Sequence, residues 1–396
     1  MKVLMIAPQP FFQPRGTPFS VLHRLRALSK LGHHIDLVTY PIGQDVAIEN
    51  VNIIRAAPVP FIKNIAIGPS LPKIFLDITL YRKAVQQLRS KKYDLLHTHE
   101  EAGFFGIRLS RKYNLLHLYD MHSSLPQQLS NFKFSKSKAL LAVFETLERK
   151  TIESAQAVIT ICPELRDYVD GRFPGKFNKL IENVADNSAV FEEKPDPEKL
   201  RQSFNINGDA IVLYAGTLES YQGLELLINA GKKVVDKRKD VKFLVVGGKP
   251  AQVDHYRTLA AEQGIADQFI FTGQRPPEEI PVFMNMADVL VSPRIDGTNT
   301  PLKVYSYLRS GIPIVATEIL THTQVLNSQV SALAKPVPDA FADSIIQVLG
   351  DDDYSKGLIE SAQKLADAEY SYDAYVKKTS ETYEYMKEIL IKRSSN

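Results

Sequence analysis

An α/β fold of two doubly wound parallel sheets facing across a cleft is predicted by three features of the sequence. Short apolar runs alternate with segments of helical spacing along most of the 396 residues, which is the order of βαβ units. The alternation stops over residues 186–200 (DNSAVFEEKPDPEKL), a polar stretch without periodicity, and then restarts. A polar loop containing glycine follows the first apolar run of each half. The expected organisation is a first domain over residues 1–185, a linker over 186–200 and a second domain over 201–370. A terminal helix over 371–396 is expected to pack back on the first domain.

In the first half, residues 2–7 (KVLMIA) read as a buried strand and 9–17 as a polar loop containing Arg15, Gly16 and Thr17. Residues 20–31 place Val21, Leu25, Leu28 and Leu31 on one helix face, and Gly32 stops that helix. The next strand is 34–40 (HIDLVTY), so the unit is strand, loop, helix, strand, with right-handed parallel pairing. The loop lacks GxGxxG and is no dinucleotide fingerprint, but a single glycine still admits a ligand close to the backbone. A strand at 51–57 precedes a breaker-rich stretch, 58–80, with Pro58, Pro60, Pro69 and Pro72 among Phe61, Ile65, Ile67 and Leu71. That composition is poor core-helix material. With Lys63, Lys73, Arg82 and Lys83 nearby it suits a face turned to a membrane or a lipid acceptor, or more plainly a packed loop and helix. Strands at 93–98, 115–119, 157–161 and 180–184 and helices at 103–112, 140–152 and 163–169 complete the first sheet.

The second half repeats the pattern. Strands are expected at 210–215, 241–246, 269–272 and 289–292, and helices at 224–232, 255–263 and 278–286. Beyond residue 340 the spacing is helical, and 372–391 is long enough to leave its own domain.

Composition narrows the function classes. Hydrophobic content of 44% and charged content of 23% are those of an ordinary globular protein. The single cysteine, Cys162, can form neither an intrachain disulfide nor a Cys-rich metal site, which fits a reducing cytoplasm. No signal peptide is read at the start, and no apolar run approaches the roughly 20 residues of a transmembrane helix. The net charge of +3 hides an asymmetry: residues 1–185 carry 25 Lys+Arg against 15 Asp+Glu, and the remainder 23 against 30. A basic half implies an anionic partner, either a phosphate-bearing acceptor or the inner face of a membrane. No Lys/Arg block interleaved with aromatics is present, which argues against nucleic acid.

The most informative stretch is 292–317, SPRIDGTNTPLKVYSYLRSGIPIVAT. It reads as the end of a strand, a polar loop, a helix and another strand. Pro301 suits a first helical turn, Leu302, Tyr305 and Leu308 recur on one face, and Gly311 and Pro313 end the helix. Ligands of open α/β sheets bind outside the carboxyl ends of strands, where helix N-termini attract anions. Arg294 and Lys303 flank such a terminus, so a phosphate-bearing ligand is expected there; two solvated surface charges are the plainer alternative. In HTHE, residues 97–100, His97 and His99 share one strand face, which invites a metal reading. No third His or Cys cluster and no HExxH accompanies them. His122 follows the strand ending at 119 and stands where a site residue would.

Several segments in order resemble a retaining glycosyltransferase of family 4, with the two Rossmann-like domains called GT-B. They are the glycine loop after strand one, LSKLGHHIDLVT, DLLHTH, AQAVITICPELRDYV, LYAGTLESYQGLELLINA, FLVVGG, and ADVLVSP with PLKVYSYLRSGIPIVAT. The resemblance implies a nucleotide-sugar donor of UDP or GDP type on the second domain and an acceptor on the first, a growing glycan or a lipid-linked one. It implies no cofactor and no metal; the lone cysteine and the basic first half add the expectation of a cytoplasmic protein, free or peripheral at the inner membrane face. The resemblance also implies that His122 faces the donor sugar, with Asp120 orienting it or capping the turn that follows. Gly16 and Thr17 would meet the β-phosphate, and residues 271–275, ending in Arg275, would lie beside the base. In the family pattern an Arg and a Lys stand in the loop after the second domain's first strand; here the positions are Gly216-flanked Thr217 and Gln222, both uncharged. The second of two glutamates eight residues apart is replaced by Ser306, and the first has no clear counterpart, Asp296 being near it. The reading adopted is that Arg294 and Lys303 replace the missing cations, while Ser306 with Asn299 or Thr300 contacts ribose or sugar. The competing functions are a non-catalytic partner of a glycosyltransferase and a sugar-nucleotide epimerase on the same fold.

Overall fold

The computed structural model describes the chain except residues 14–15, 61, 63–64, 66–69, 127–137, 185–195, 205, 207 and 396 and the side chains of 71, 138 and 278. Arg15, Lys63 and most of the expected linker therefore lie outside the described residues. The chain forms two units, Met1–Asn183 with Asp373–Asn396, and Val184–Tyr372.

The first unit is built on a seven-stranded sheet, β1 (Lys2–Ala7), β2 (His34–Thr39), β3 (Val51–Arg55), β4 (Leu95–His99), β5 (Leu116–Met121), β6 (Ala157–Thr160) and β7 (Phe177–Leu180). Its order is β3-β2-β1-β4-β5-β6-β7 and every described pairing is parallel. Helices α1 (Gly16–Lys30), α2 (Leu71–Ser90), α3 (Gly103–Tyr113), α4 (Lys138–Ser154) and α5 (Pro163–Arg172) connect the strands. The strands are continuous apolar runs because both faces are covered: β1 is buried from Val3 to Ala7. Gly106 on α3 packs so closely on β5 that a Cβ there would fall 2.2 Å from His117 Nε2.

The second unit has six strands, β8 (Ala210–Ala215), β9 (Val241–Val246), β10 (Phe269–Gly273), β11 (Val289–Ser292), β12 (Ile314–Thr317) and β13 (Ala332–Ala334), in the order β10-β9-β8-β11-β12-β13. All are parallel. Its helices are α6 (Pro197–Ser203), α7 (Leu224–Lys237), α8 (Pro250–Glu262), α9 (Ile280–Asn285), α10 (Leu302–Arg309), α11 (Leu320–Thr323), α12 (Pro338–Gly350) and α13 (Asp352–Glu369). One core layer, with Leu227, Phe243 and Phe341, lies on one sheet face, and a second, with Leu244, Tyr305 and Leu308, on the other. A last helix, α14 (Tyr372–Ser394), belongs to the first unit from Asp373 onward.

The fold is the predicted one, two parallel doubly wound sheets of Rossmann type. Several boundaries moved. α1 starts at Gly16 rather than Ser20, because glycine tolerates the φ of +32 found there and Pro18 suits a first turn. The breaker-rich stretch yields a 20-residue helix, α2, since Pro72 sits at its N-terminus, where a missing N–H costs nothing. β5 runs two residues beyond 119, so Asp120 is a strand residue rather than part of a turn. β7 precedes the expected 180–184 and ends at Leu180, although Ile181 N still donates to Thr160 O at 2.8 Å. Pro301 is the residue before α10 (φ −63, ψ 134), not its first turn, and the buried face is Val304, Tyr305, Tyr307 and Leu308, with Leu302 only half-buried.

Candidate functional site

Both sheets reverse their strand order at one place, between β1 and β4 in the first unit and between β8 and β11 in the second. The loops leaving the carboxyl ends of these strand pairs diverge to opposite faces and open a crevice, the usual ligand position of such sheets.

In the second unit that crevice is bounded by the loops after β8 and β11. The two loops touch: Ile295 N donates to Tyr221 O at 3.0 Å, and a Cβ on Gly223 would fall 1.9 Å from Pro293 O. Behind them Gly247, at φ +125, packs against Gly216, leaving a Cβ only 1.9 Å from Gly216 O. Gly216 and Thr217 are exposed at the crevice. Tyr214 Oη donates to Thr217 O at 2.6 Å, and Ala215 N donates to Tyr307 Oη at 3.3 Å, so two buried tyrosines fix this loop.

Lys303 occupies the first turn of α10 and reaches back under the Gly216 loop. Its Nζ is 3.8 Å from the centroid of the Tyr214 ring and 3.6 Å from where a Cβ on Gly216 would stand. The side chain as a whole is half-buried, but Nζ is fully buried and has no hydrogen-bond partner among the described residues. Burial, with the positive Arg294 second, holds its amine well below the usual lysine range. Arg294 is folded onto its own loop, with Nε donating to Asp296 O at 2.6 Å, Nη1 to Asn299 O at 3.3 Å, and Cζ 5.1 Å above the Tyr221 ring. Gly297 suits this loop because it holds φ +122, a conformation that side chains rarely adopt.

Thr300 is buried with its hydroxyl unpartnered among the described residues, and so are Gln222 Oε1 and Thr321 Oγ1. Buried polar atoms are normally satisfied, so these four orphans, on segments that follow β8, β11 and β12, call for a ligand or ordered water. Ser306 lies one turn along α10 from Lys303 and is half-buried. Asp296 is exposed and accepts from Gly297 N at 2.6 Å, which commits it to the loop. Arg275, after the edge strand β10, is paired with Glu279 at 2.6 Å.

One supporting residue was not singled out from the sequence. His322, fully buried, accepts from Ser292 Oγ at Nε2 (2.8 Å) and donates from Nδ1 to Thr317 O (2.8 Å). It therefore ties the ends of β11 and β12, and Thr317 Oγ1 in turn donates to Arg294 O. Burial pushes its imidazole down to about 3, so it stays neutral. The available signal was a histidine five residues past a strand end, on a four-residue helix, α11, too short to read by periodicity.

In the first unit, Gly16 is exposed and Thr17 half-buried at the start of α1, with Thr17 Oγ1 donating to Glu100 Oε1 at 3.4 Å. Glu100 itself holds φ +47, an uncommon conformation for a non-glycine residue. His122 directly follows β5. Its Nε2 lies 3.0 Å from His99 Nδ1 and 3.2 Å from Asp120 Oδ1. His97 and His99 stack at 4.7 Å on one strand face, and His97 Nε2 is 3.3 Å from Asp120 Oδ2. The third group missing from the sequence reading of HTHE is thus Asp120, from the neighbouring strand; one ligand atom from each of the three lies within 4.8 Å of the others. However, Arg24 Nε already sits 3.0 Å from Asp120 Oδ2. A divalent ion at these atoms would face a fixed guanidinium, so the donor set fits an internal ion-pair network rather than a metal.

Comparison with known proteins identifies the family. Residues 14–183 match the model of Glycosyltransferase Family 4 and residues 196–365 that of Glycosyl transferases group 1. The chain is a glycosyltransferase of this GT-B type. It is 25% identical to an uncharacterized glycosyltransferase of Methanocaldococcus jannaschii, over 98% of this chain and 100% of that one. Among solved structures, sucrose-phosphate synthase of Thermosynechococcus elongatus superposes with a TM-score of 0.76 at 21% identity, covering 97% of this chain and 98% of the other. HepE of Anabaena, solved in complex with UDP-glucose, superposes with a TM-score of 0.72 at 18% identity, covering 97% and 99%.

Proposed function

We propose that this glycosyltransferase moves a hexose from a UDP- or GDP-type nucleotide sugar to a glycan or lipid-linked acceptor, with retention at the anomeric carbon and without a metal. The observation that carries the donor reading is the Lys303 amine, buried and unpartnered at the switch point of the second sheet. A buried ammonium is costly without an anion, and a diphosphate supplies one. In this donor site Lys303 and Arg294 take over from the cations that Thr217 and Gln222 do not provide. Thr217 offers its backbone N–H, Gly216 having given its own to Val246 O while leaving the backbone open to the ligand, and Thr300, Asn299 and Ser306 offer hydroxyl and amide groups to sugar or ribose. Arg275 borders the base. Such cations stabilise the charge that grows on the leaving diphosphate as the glycosidic bond breaks.

On the first unit, His122 is assigned to the donor sugar, and Gly16 and Thr17 to the β-phosphate. The leaving phosphate takes the acceptor proton, so no general base is needed from His122. An acceptor at a membrane is supported by α2, where Ile74, Phe75 and Ile78 are exposed at 54%, 59% and 45%. A groove of about 540 Å³ continues along the helix past Arg82 and Arg89. Apolar side chains beside arginines suit an anionic lipid surface. No helix among the described residues is long and apolar enough to cross a membrane.

The test is a thermal-shift screen of UDP, GDP, ADP and their glucose and mannose conjugates, followed by calorimetry on Arg294→Ala and Lys303→Ala. The expected result is a clear shift with one nucleoside diphosphate and severe loss of its affinity in both variants. Wild-type affinity in both would reject the relocated cation pair.

A further inference from the structure

The polar cluster beneath His122 continues away from the crevice and ends on the last helix of the chain. Arg24 on α1 contacts Asp120 through Nε at 3.0 Å and donates from Nη1 to Thr379 Oγ1 at 3.0 Å. The Thr379 hydroxyl donates to Tyr375 O at 2.8 Å, so its oxygen is left to accept from Arg24. Tyr375 also places its ring 4.9 Å from the Arg24 guanidinium carbon. On the other side of the carboxylate, His97 Nδ1 meets Tyr383 Oη at 2.8 Å. Arg24, His97, His99, Asp120, Thr379 and Tyr383 are all at most 2% exposed, and His122 is 4% exposed.

Chemistry fixes the direction of these bonds. Burial would raise the Asp120 carboxyl, but Arg24, His122 and His99 outweigh it and hold it well below the usual carboxylate range. An ionised carboxylate only accepts. His97, kept neutral by burial, must therefore carry its proton on Nε2, toward Asp120. Its Nδ1 must then accept, and Tyr383, whose phenol burial keeps protonated, is the donor. His122 Nε2 stands 3.0 Å from His99 Nδ1 and 3.2 Å from the anionic Asp120 Oδ1; the nearby anion disfavours a lone pair there, so Nε2 carries the proton and His99 Nδ1 accepts it.

We propose that Tyr383 and Thr379, on α14, are positioning residues for His122. Tyr383 fixes the tautomer of His97, Thr379 fixes Arg24, and the two together hold the Asp120 carboxylate at the angle that turns His122 with Nε2–H inward. The terminal helix is then part of the support of the donor-facing histidine, some 260 residues away in sequence. The catalytic consequence rests on the reading of His122 given above, whereas the coupling itself does not.

The test uses the full-length protein with Tyr383→Phe and Thr379→Val, which keep ring and volume and remove one hydroxyl each. The ring nitrogens of His97 and His122 are followed by ¹⁵N-histidine NMR, with His97→Gln and His122→Gln to assign them. The expected result is a wild-type His122 signal of the Nε2–H form that moves toward a tautomer mixture in both variants. In parallel, the turnover of UDP-glucose should fall about 2- to 30-fold, as for changes within coupled networks, with UDP affinity unchanged. Identical His122 nitrogen shifts in wild type and both variants would overturn the proposal. So would a rate loss that tracks only a lower melting temperature. If the wild type turns over no nucleotide sugar, the donor-facing role of His122 fails, and the nitrogen shifts still decide whether α14 sets its tautomer.

Discussion

Replacing Lys303 with Met should make the ligand-free protein more stable and nearly blind to its nucleotide. The stem of Lys303 is packed, and Met preserves it. What is lost is an amine that is buried, has no acceptor among the described residues, and stands 3.8 Å over the Tyr214 ring. An unsatisfied buried polar group costs about 1–3 kcal/mol. The ring returns about 0.5–2 kcal/mol, and only to the charged amine, which burial disfavours. The net gain on substitution is therefore about 1 kcal/mol, a rise of roughly 2–4 °C in melting temperature for a unit of this size. Binding moves the other way. A hydrogen bond to a charged group contributes about 1.5–3 kcal/mol, so affinity should fall roughly 10- to 150-fold. Scanning fluorimetry without ligand and calorimetry with UDP, GDP and ADP read the two effects separately. A variant less stable than wild type without ligand, or one that binds as tightly, would refute the idea of an amine held ready for an anion.

Three further outcomes follow from the packing. His117 and His322 are each pushed by burial to about 3, so between pH 6.5 and that value the unfolded chain binds more protons than the native one, and stability falls as the pH drops. Each should cost roughly 2 kcal/mol between pH 7 and 5; Glu101, which burial raises to about 8, acts in the opposite sense, so the readout is the difference in urea midpoint slope between wild type and His322→Gln. An unchanged slope in that variant would count against a neutral native His322. Gly247→Ala would place a Cβ 1.9 Å from Gly216 O at φ +125, and overpacking of this kind costs about 1–3 kcal/mol; both a lower melting temperature and weaker nucleotide binding are expected, the latter because Gly216 must shift. Arg24→Met strands the buried Asp120 charge and should cost about 3–5 kcal/mol, while Arg24→Met with Asp120→Leu should recover much of it, as measured by chemical denaturation.

Which features the sequence announced, and which it hid, follows from how far apart the partners are. The alternation of apolar runs and helical faces reports burial residue by residue, so β1, β8, β9 and β11 were legible almost to the residue. Boundaries failed where a residue tolerates two states. Gly16 could loop or begin a helix, and Pro72 and Pro301 could break one or precede one. Asp120 looked like a turn residue because an acid is rarely buried in a strand unless it is paired, and its partner, Arg24, lies 96 residues earlier. Arg24 itself carried a signal: it follows Val21 by three and precedes Leu28 by four, which puts it on the buried face of α1. A cation at such a position requires an internal anion.

The same reasoning separates the two candidate histidines. Among the described residues His322 bonds to Ser292 and Thr317, hydroxyl and carbonyl groups that hold a neutral ring and tie two strand ends together. That is a structural post, and any effect of changing it should reach nucleotide binding through Arg294, whose carbonyl Thr317 holds. His122 instead stands at the end of a chain of charge, Arg24 to Asp120, that was desolvated in full beneath it. A buried ion pair is weak evidence for stability, because apolar residues of equal volume often serve as well. Its cost is better understood if the carboxylate has a second task, and a side chain it faces, at the carboxyl end of β5, is His122.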